Sequence, residues 1–382
     1  MLHLAVTYVE LDIKASTSKC LFVVNLKMYS TTLLNSLTAK NYTSEEVLSR
    51  LLSGLEAKNL TERVQVGPLF CNRSYASIYR GTLVDRVSTS GSEGTRQIVI
   101  KRFVVPMENQ SKFIKRISRE LRVWVNLEHR NILLLLGFIM QDHGDSEMLP
   151  SLVSEYMERG TLRDELIRNP NLDIFNMVNG IANGLSYLHA RNIVHGDLKS
   201  PNVLISPEGD PKLMDFGISH MLSTTTQYAE TATSGEIGSI PWMAPELLNP
   251  ADTCIHTLAS DIWAFGMVVF ETLTKKYPFE DRGKKNNAQI IMLILSGILP
   301  KNPQKHARLS STDYLWDLCS ESACWNEDPK LRPTIAVIQA HLYTKGREPP
   351  RNDLEPFVNT TRVHYTGEPP TALLPIVTGV II

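Results

Sequence analysis

The strongest constraint on the fold is a change of period partway along the chain. From Val64 to Phe103 the sequence runs in short β-rich stretches, "VQVGPLF", "SIYRGTL" and "RQIVIKRF". The polar, Gly- and Ser-containing stretch "STSGSEGT" separates the last two and reads as a hairpin loop. A helical stretch around "KFIKRISRELRVWVNL" follows, then the β-like runs "ILLLLGFIM" and "PSLVSEYM". Beyond Gly160 helical spacing dominates, as in "FNMVNGIANGLSYLHARN" and "DIWAFGMVVFETLT". A small β-rich part followed by a larger helical one predicts an α+β chain of two lobes with a cleft between them.

The flanks are different. Residues 1–42 show no clear period. "TSEEVLSRLLSGLEAK" reads as an amphipathic helix, with Thr43 and Glu46 as a capping box and Val47, Leu48, Leu51, Leu52 and Leu55 as its stripe. Past about Tyr343 the chain turns to Pro, Gly, Thr and charge, the composition of an extended tail. The expected division is an N-terminal extension (1–62), a central domain (63–343, with lobes at about 63–157 and 158–343) and a C-terminal tail (344–382).

Composition excludes several classes of function. With 39 Lys and Arg against 40 Asp and Glu in 382 residues, nothing global points to nucleic acid or to a membrane surface. Five cysteines, without CxxC pairs, suit a reducing compartment. The start "MLHLAVTYVELDIKAS" lacks the basic region of a signal peptide, and no apolar run reaches the roughly 18 residues of a membrane span. The expectation is a soluble cytoplasmic protein.

Several side chains suited to handling phosphate occur in a fixed order. "IVIK" puts Lys101 on a predicted strand, in reach of a nucleotide's phosphates. Glu120, on the next predicted helix, shares a face with Ile117, Leu121 and Trp124. A carboxylate beside that stripe needs a partner, and Lys101 is the candidate. In "HGDLKSPN", Asp197 suits a general base that orients and deprotonates a hydroxyl, Lys199 can neutralise charge on a migrating phosphoryl group, and Asn202 offers an oxygen to Mg²⁺. Thirteen residues after Asn202, "LMDFGIS" supplies Asp215 as a metal-binding carboxylate and Gly217 as a turn.

This ordered set resembles the signature of the eukaryotic protein kinase domain, from about Val64 to Tyr343. The likeness continues in "GSIPWMAPE" (Ala244, Pro245, Glu246), "SDIWAFG" (Asp261, Trp263, Gly266) and "CWNEDPKLRP" (Arg332). It implies a bilobal fold using ATP and Mg²⁺ on protein substrates, with Glu246 paired to Arg332 and Asp261 holding the catalytic-loop backbone. It also implies Ser154 as gatekeeper, Glu155, Tyr156 and Met157 as the hinge that hydrogen-bonds adenine, and Ile78, Val99 and Leu204 around the base. "CWNEDPKLRP" and "GSIPWMAPE" look like the tyrosine-kinase and tyrosine-kinase-like branch, while Lys199 in "DLKSPN" is what serine/threonine kinases carry. A tyrosine-kinase-like serine/threonine kinase is therefore expected, with a dual-specificity or tyrosine kinase as an alternative.

Two departures stand out. Aligning "SIYRG" with the family pattern puts Cys71, Arg73 and Ala76 where glycines let backbone N–H groups approach phosphates. Gly196 stands where most such kinases carry an arginine that clamps a phosphorylated activation loop. The segment from Ile218 to Pro241 is rich in hydroxyls (Ser223, Thr224, Thr225, Thr226, Tyr228, Thr231, Thr233, Ser234 and Ser239), which by itself marks no phosphosite. With Lys101, Glu120, Asp197, Asn202 and Asp215 all present, the reading is an active kinase that depends little on activation-loop phosphorylation. The rival is a pseudokinase scaffold that binds partners without transfer.

Overall fold

The structure, a computed structural model, describes residues 52–73, 76–85, 94–103, 121, 123–141, 149–216, 239–249, 255–283, 285–301, 313–320 and 322–345. Five strands form one antiparallel sheet: β1 (Val64–Arg73), β2 (Ala76–Val84), β3 (Thr95–Phe103), β4 (Leu135–Gln141) and β5 (Leu149–Glu155), in spatial order β1-β2-β3-β5-β4. Alternation along β3 shows why. Ile98 and Ile100 are fully buried on one face with Leu60, Leu83, Ile139 and Val153, so Val99 and Lys101 point to the other. On β5, Val153 joins that small cluster and Leu152 the larger core opposite. β4 begins at Leu135, later than the apolar run "ILLLLGFIM" suggests, because Ile132 bridges to Leu213 and the Leu133 N–H donates to the Leu213 carbonyl.

The chain ahead of β1 lies against this sheet. Leu52 and Leu55 pack on the main core, and the Leu60 N–H donates to the Phe138 carbonyl at 2.8 Å. Gly137 permits that approach, since a Cβ there would lie 2.1 Å from the Lys58 carbonyl oxygen. The expected capping box at Thr43 and Glu46 and the residues Val47, Leu48 and Leu51 lie outside the described residues.

The helical part contains α1 (Leu162–Arg168), α2 (Ile174–His189), α3 (Pro245–Leu248), α4 (Leu258–Thr274), α5 (Asn287–Leu295), α6 (Asp313–Leu318) and α7 (Ile335–Lys345). In α2, Asp173 caps the N-terminus by accepting the Asn176 N–H, and Met177, Ile181, Leu185 and Leu188 form a buried stripe at helical spacing. Each such fully buried aliphatic side chain contributes roughly 1.5–3 kcal/mol. α4 is the central helix: a Thr257–Ser260 capping box starts it, and thirteen of its residues are buried. It starts ahead of the predicted "DIWAFG" because that cap lies upstream. "LISPEGDPKLM" forms the expected hairpin, with β6 (Val203–Ile205) antiparallel to β7 (Pro211–Leu213). The architecture is the α+β, two-lobed one the sequence predicts. Among the described residues no helix is long and apolar enough to cross a membrane.

Candidate active site

Directly paired residues of an antiparallel sheet share a face, so the register lays out the cleft side of the sheet. Cys71 on β1 faces Ile78 on β2, which faces Lys101 on β3, which faces Leu152 on β5. One row over, Arg80 faces Val99 and Val99 faces Ser154. Ile78, Val99, Ser154 and Lys101 thus lie on one surface. Lys101 Nζ reaches Asp215 Oδ1 of the helical part at 2.6 Å, which fixes the inner end of the cleft. Glu120, expected beside Lys101, lies outside the described residues, as does Gly217.

The other side is the loop between α2 and β6. Asp197 is its centre. Its Oδ1 accepts the Ser239 hydroxyl at 2.6 Å, and its Oδ2 accepts the Asn202 amide N–H at 2.7 Å and lies 2.8 Å from Lys199 Nζ. Lys199 also donates to Ser239 Oγ at 2.6 Å, closing a ring of hydroxyl, carboxylate and ammonium. The Asn202 amide nitrogen also donates to the Asp197 carbonyl at 2.8 Å, so its oxygen is the atom directed elsewhere. Asp215 takes φ +59°, a left-handed conformation costly for a residue with a Cβ.

Among the described residues no group of three or more His, Cys, Asp or Glu is arranged as a metal cage. Mg²⁺ does not need one, because it binds through one or two carboxylates while keeping waters and substrate phosphates. Asp215 with the Asn202 oxygen is a donor set of that kind. The residues expected to form the hinge lie at the end of β5: Glu155 ends it, the Tyr156 N–H donates to the Gln97 carbonyl at 3.4 Å, and Met157 is buried. Leu204, half-buried on β6, bridges to Thr161.

The loop is fastened from below by α4. The buried Asp261 carboxylate accepts the His195 and Gly196 N–H groups, each at 2.8 Å, and meets His189 Nε2 at 2.9 Å. Burial pushes the His195 imidazole below its ordinary pKa against the opposing pull of Asp261, Asp197 and Asp215. Gly196 takes φ +75°. Arg332 holds Glu246 through two bonds of 2.7 and 2.8 Å, the pairing the family resemblance implies.

Sequence reasoning missed three participants. Ser239 was only one of many hydroxyls in its segment, yet it alone among them is described, and it bonds both Asp197 and Lys199. Glu271, fully buried on α4, accepts the Ser200 hydroxyl at 2.6 Å and the Trp242 indole N–H at 2.7 Å. Burial pushes its carboxyl up to about 7. A charged residue inside the apolar run "MVVFETLT" was the available signal for Glu271, since a buried charge demands partners. Trp242 lies in the quoted "GSIPWMAPE" motif, but nothing local revealed its acceptor.

A family model described as "Protein kinase domain" matches residues 81–344. Similar curated proteins include the probable serine/threonine-protein kinase SIS8 of Arabidopsis thaliana, 31% identical over 294 residues, which are 74% of this chain and 25% of that protein. Mitogen-activated protein kinase kinase kinase 2 of Arabidopsis thaliana is 28% identical over 313 residues, 78% of this chain and 44% of its own length. Tyrosine-protein kinase Shark of Drosophila melanogaster is 29% identical over 299 residues, 76% of this chain and 28% of its own. The chain therefore spans less than half the length of each of these relatives.

Proposed function

The chain belongs to the protein kinase domain family, and from that premise we propose that it transfers the γ-phosphate of ATP to serine or threonine hydroxyls of proteins, as a tyrosine-kinase-like serine/threonine kinase. The observation that carries this reading is the Asp197 carboxylate accepting a serine hydroxyl, that of Ser239, at 2.6 Å beside the Lys199 ammonium. An aliphatic hydroxyl is already the ligand of the proposed base, and a cation stands next to it.

Each residue then has one task. Asp197 aligns the acceptor hydroxyl and takes its proton as the new O–P bond forms and the bond to the leaving ADP breaks. Lys199 offsets charge on the transferred group. Lys101, on the cleft face of β3, binds the phosphates that stay behind, with Glu120 proposed to position it. Ile78, Val99 and Leu204 enclose the base, Ser154 acts as gatekeeper, and the backbone of Glu155, Tyr156 and Met157 reads its edge. Asp215 and the Asn202 oxygen would hold Mg²⁺, which supplies positive charge across the phosphates when bound. With Gly196 in place of an arginine, the loop takes its geometry from Asp261, so turnover needs no phosphate on the segment 218–241. The proposed domain boundaries are 1–62, 63–343 and 344–382, and a cytoplasmic site of action suits the sparse cysteines.

A scaffold that binds partners without transfer is favoured by one observation, Cys71 on the cleft face opposite Ile78, where a family glycine is expected. Label transfer from γ-labelled ATP with Mg²⁺ to a generic protein and to the chain itself separates the readings, with wild type run beside Asp197→Asn and the products hydrolysed to phosphoamino acids. Transfer onto serine or threonine that falls at least a hundredfold in the variant is expected, since a positioned base contributes about 10²–10⁴. Equal label from folded wild type and variant contradicts catalysis, and phosphotyrosine as the main product contradicts the specificity.

A further inference from the structure

β1 changes register between Leu69 and Cys71. Leu69 faces Tyr79, Cys71 faces the adjacent Ile78, and Phe70 is the extra residue between them. A bulge of this kind bends the strand and re-aims a side chain. Phe70 is 52% exposed, too apolar and too open to be explained by the core. Its ring packs edge-to-face with Tyr156 of the hinge, the centroids 6.5 Å apart at 88°.

Arg80 lies between these two rings. It stands beside Val99 on the cleft face of the sheet, and its guanidinium carbon is 4.6 Å from the centroid of each ring. It also donates to the Tyr156 hydroxyl at 2.7 Å. Three separate parts of the chain, the bulge of β1, the middle of β2 and the hinge after β5, are thereby tied together by one exposed side chain. Lys101 and Asp215 mark the inner end of the same surface, so this tie lies at its outer end, between sheet and hinge.

We propose that the Phe70–Arg80–Tyr156 stack is a gate across the mouth of the nucleotide cleft, with Arg80 as the residue that sets nucleotide exchange. This rests on the nucleotide-binding reading above and extends it to control of the same site. Its chemistry suits the role. A guanidinium between two aromatic faces gains two cation–π contacts and one hydrogen bond, enough to hold a closed position while leaving it openable. All three groups are at least partly in water, so the stack can part without unmaking the core. It also makes up for the end of the β1–β2 hairpin, where Cys71, Arg73 and Ala76 stand in place of the glycines that the family resemblance expects over the phosphates. Retention of nucleotide passes from the phosphate end of the cleft to its mouth.

The test is stopped-flow exchange of a fluorescent ATP analogue, with Mg²⁺, on the full chain and on Arg80→Ala, Arg80→Lys and Tyr156→Phe. Association and dissociation are both expected to quicken in Arg80→Ala, dissociation by about tenfold. Lysine keeps the charge but cannot lie flat against two rings and reach the phenol together, so Arg80→Lys recovers only part of the retention. Tyr156→Phe, which loses the hydroxyl alone, is expected to give a smaller acceleration than Arg80→Ala. A wild type that takes up no analogue while Arg80→Ala does also supports the gate. Rates in Arg80→Ala within twofold of wild type, at an unchanged unfolding midpoint, overturn the gate and leave nucleotide binding intact. Uptake by neither protein overturns the gate and the nucleotide-binding reading together.

Discussion

Gly196 holds φ +75° while its N–H donates to a carboxylate that is itself buried. The left-handed region is free to glycine, but any L-residue with a Cβ there is strained. An arginine at this position would carry that strain in addition to its clamping role; here neither is present. Gly196→Ala is therefore expected to lower unfolding free energy by about 1 kcal/mol, read from denaturant unfolding, because the backbone must either keep its conformation at a cost or leave Asp261. An alanine variant as stable as wild type would show that the loop relaxes easily and that Asp261 does not dictate its shape. The glycine was legible in sequence as a missing arginine. Its positive φ was not, because backbone sign depends on where the Asp261 carboxylate sits, 65 positions away.

α4 unites the site at the level of elements. Asp261 near its start holds the backbone at His195 and Gly196, and Glu271 near its end takes the Ser200 hydroxyl and N–H together with the Trp242 indole. Ten residues of helix separate them, about 15 Å at 1.5 Å per residue, so one rigid rod fixes both ends of the loop. Burial raises the Glu271 carboxyl from 4.5 to about 7. A raised acid in the folded state stabilises below the unfolded value and loses that contribution as pH climbs, since the unfolded chain ionises freely while the folded one retains its proton. Stability should fall by about 3 kcal/mol between pH 4.5 and 7 relative to Glu271→Gln, and the difference should level off above that window. Parallel pH curves for the two proteins would contradict it. The helix itself was plain in the spacing of "DIWAFGMVVFETLT", whereas its two carboxylate anchors emerged only from packing against segments far off in sequence.

Across the whole molecule, what was legible follows range. Strands and helices announce themselves by period, so β2, β3, α2 and the β6–β7 hairpin fall close to their predicted places. The contacts of Asp197 with Asn202 and Lys199 are local, and these residues were readable from one loop. Ser239, the Lys101–Asp215 contact across 114 positions and the stack of Phe70, Arg80 and Tyr156 join distant segments, and no single sequence period encodes such pairs. Glu120, Gly217 and most of the hydroxyl-rich segment 218–241 lie outside the described residues. Within those described, the loop that carries Asp197 and Lys199 is anchored on Asp261 of α4 and Lys101 reaches Asp215 beyond it, with Gly196 contributing no side chain that could receive a phosphate. The most direct test of that assembly is turnover of a protein substrate by the chain stripped of all phosphate, compared with the same chain stoichiometrically phosphorylated in 218–241. The account predicts label transfer by the phosphate-free protein with kcat within about threefold of the phosphorylated form, because the anchor on Asp261 needs no charge on the segment. Transfer that begins only after phosphorylation, with kcat rising by a hundredfold or more, would contradict it.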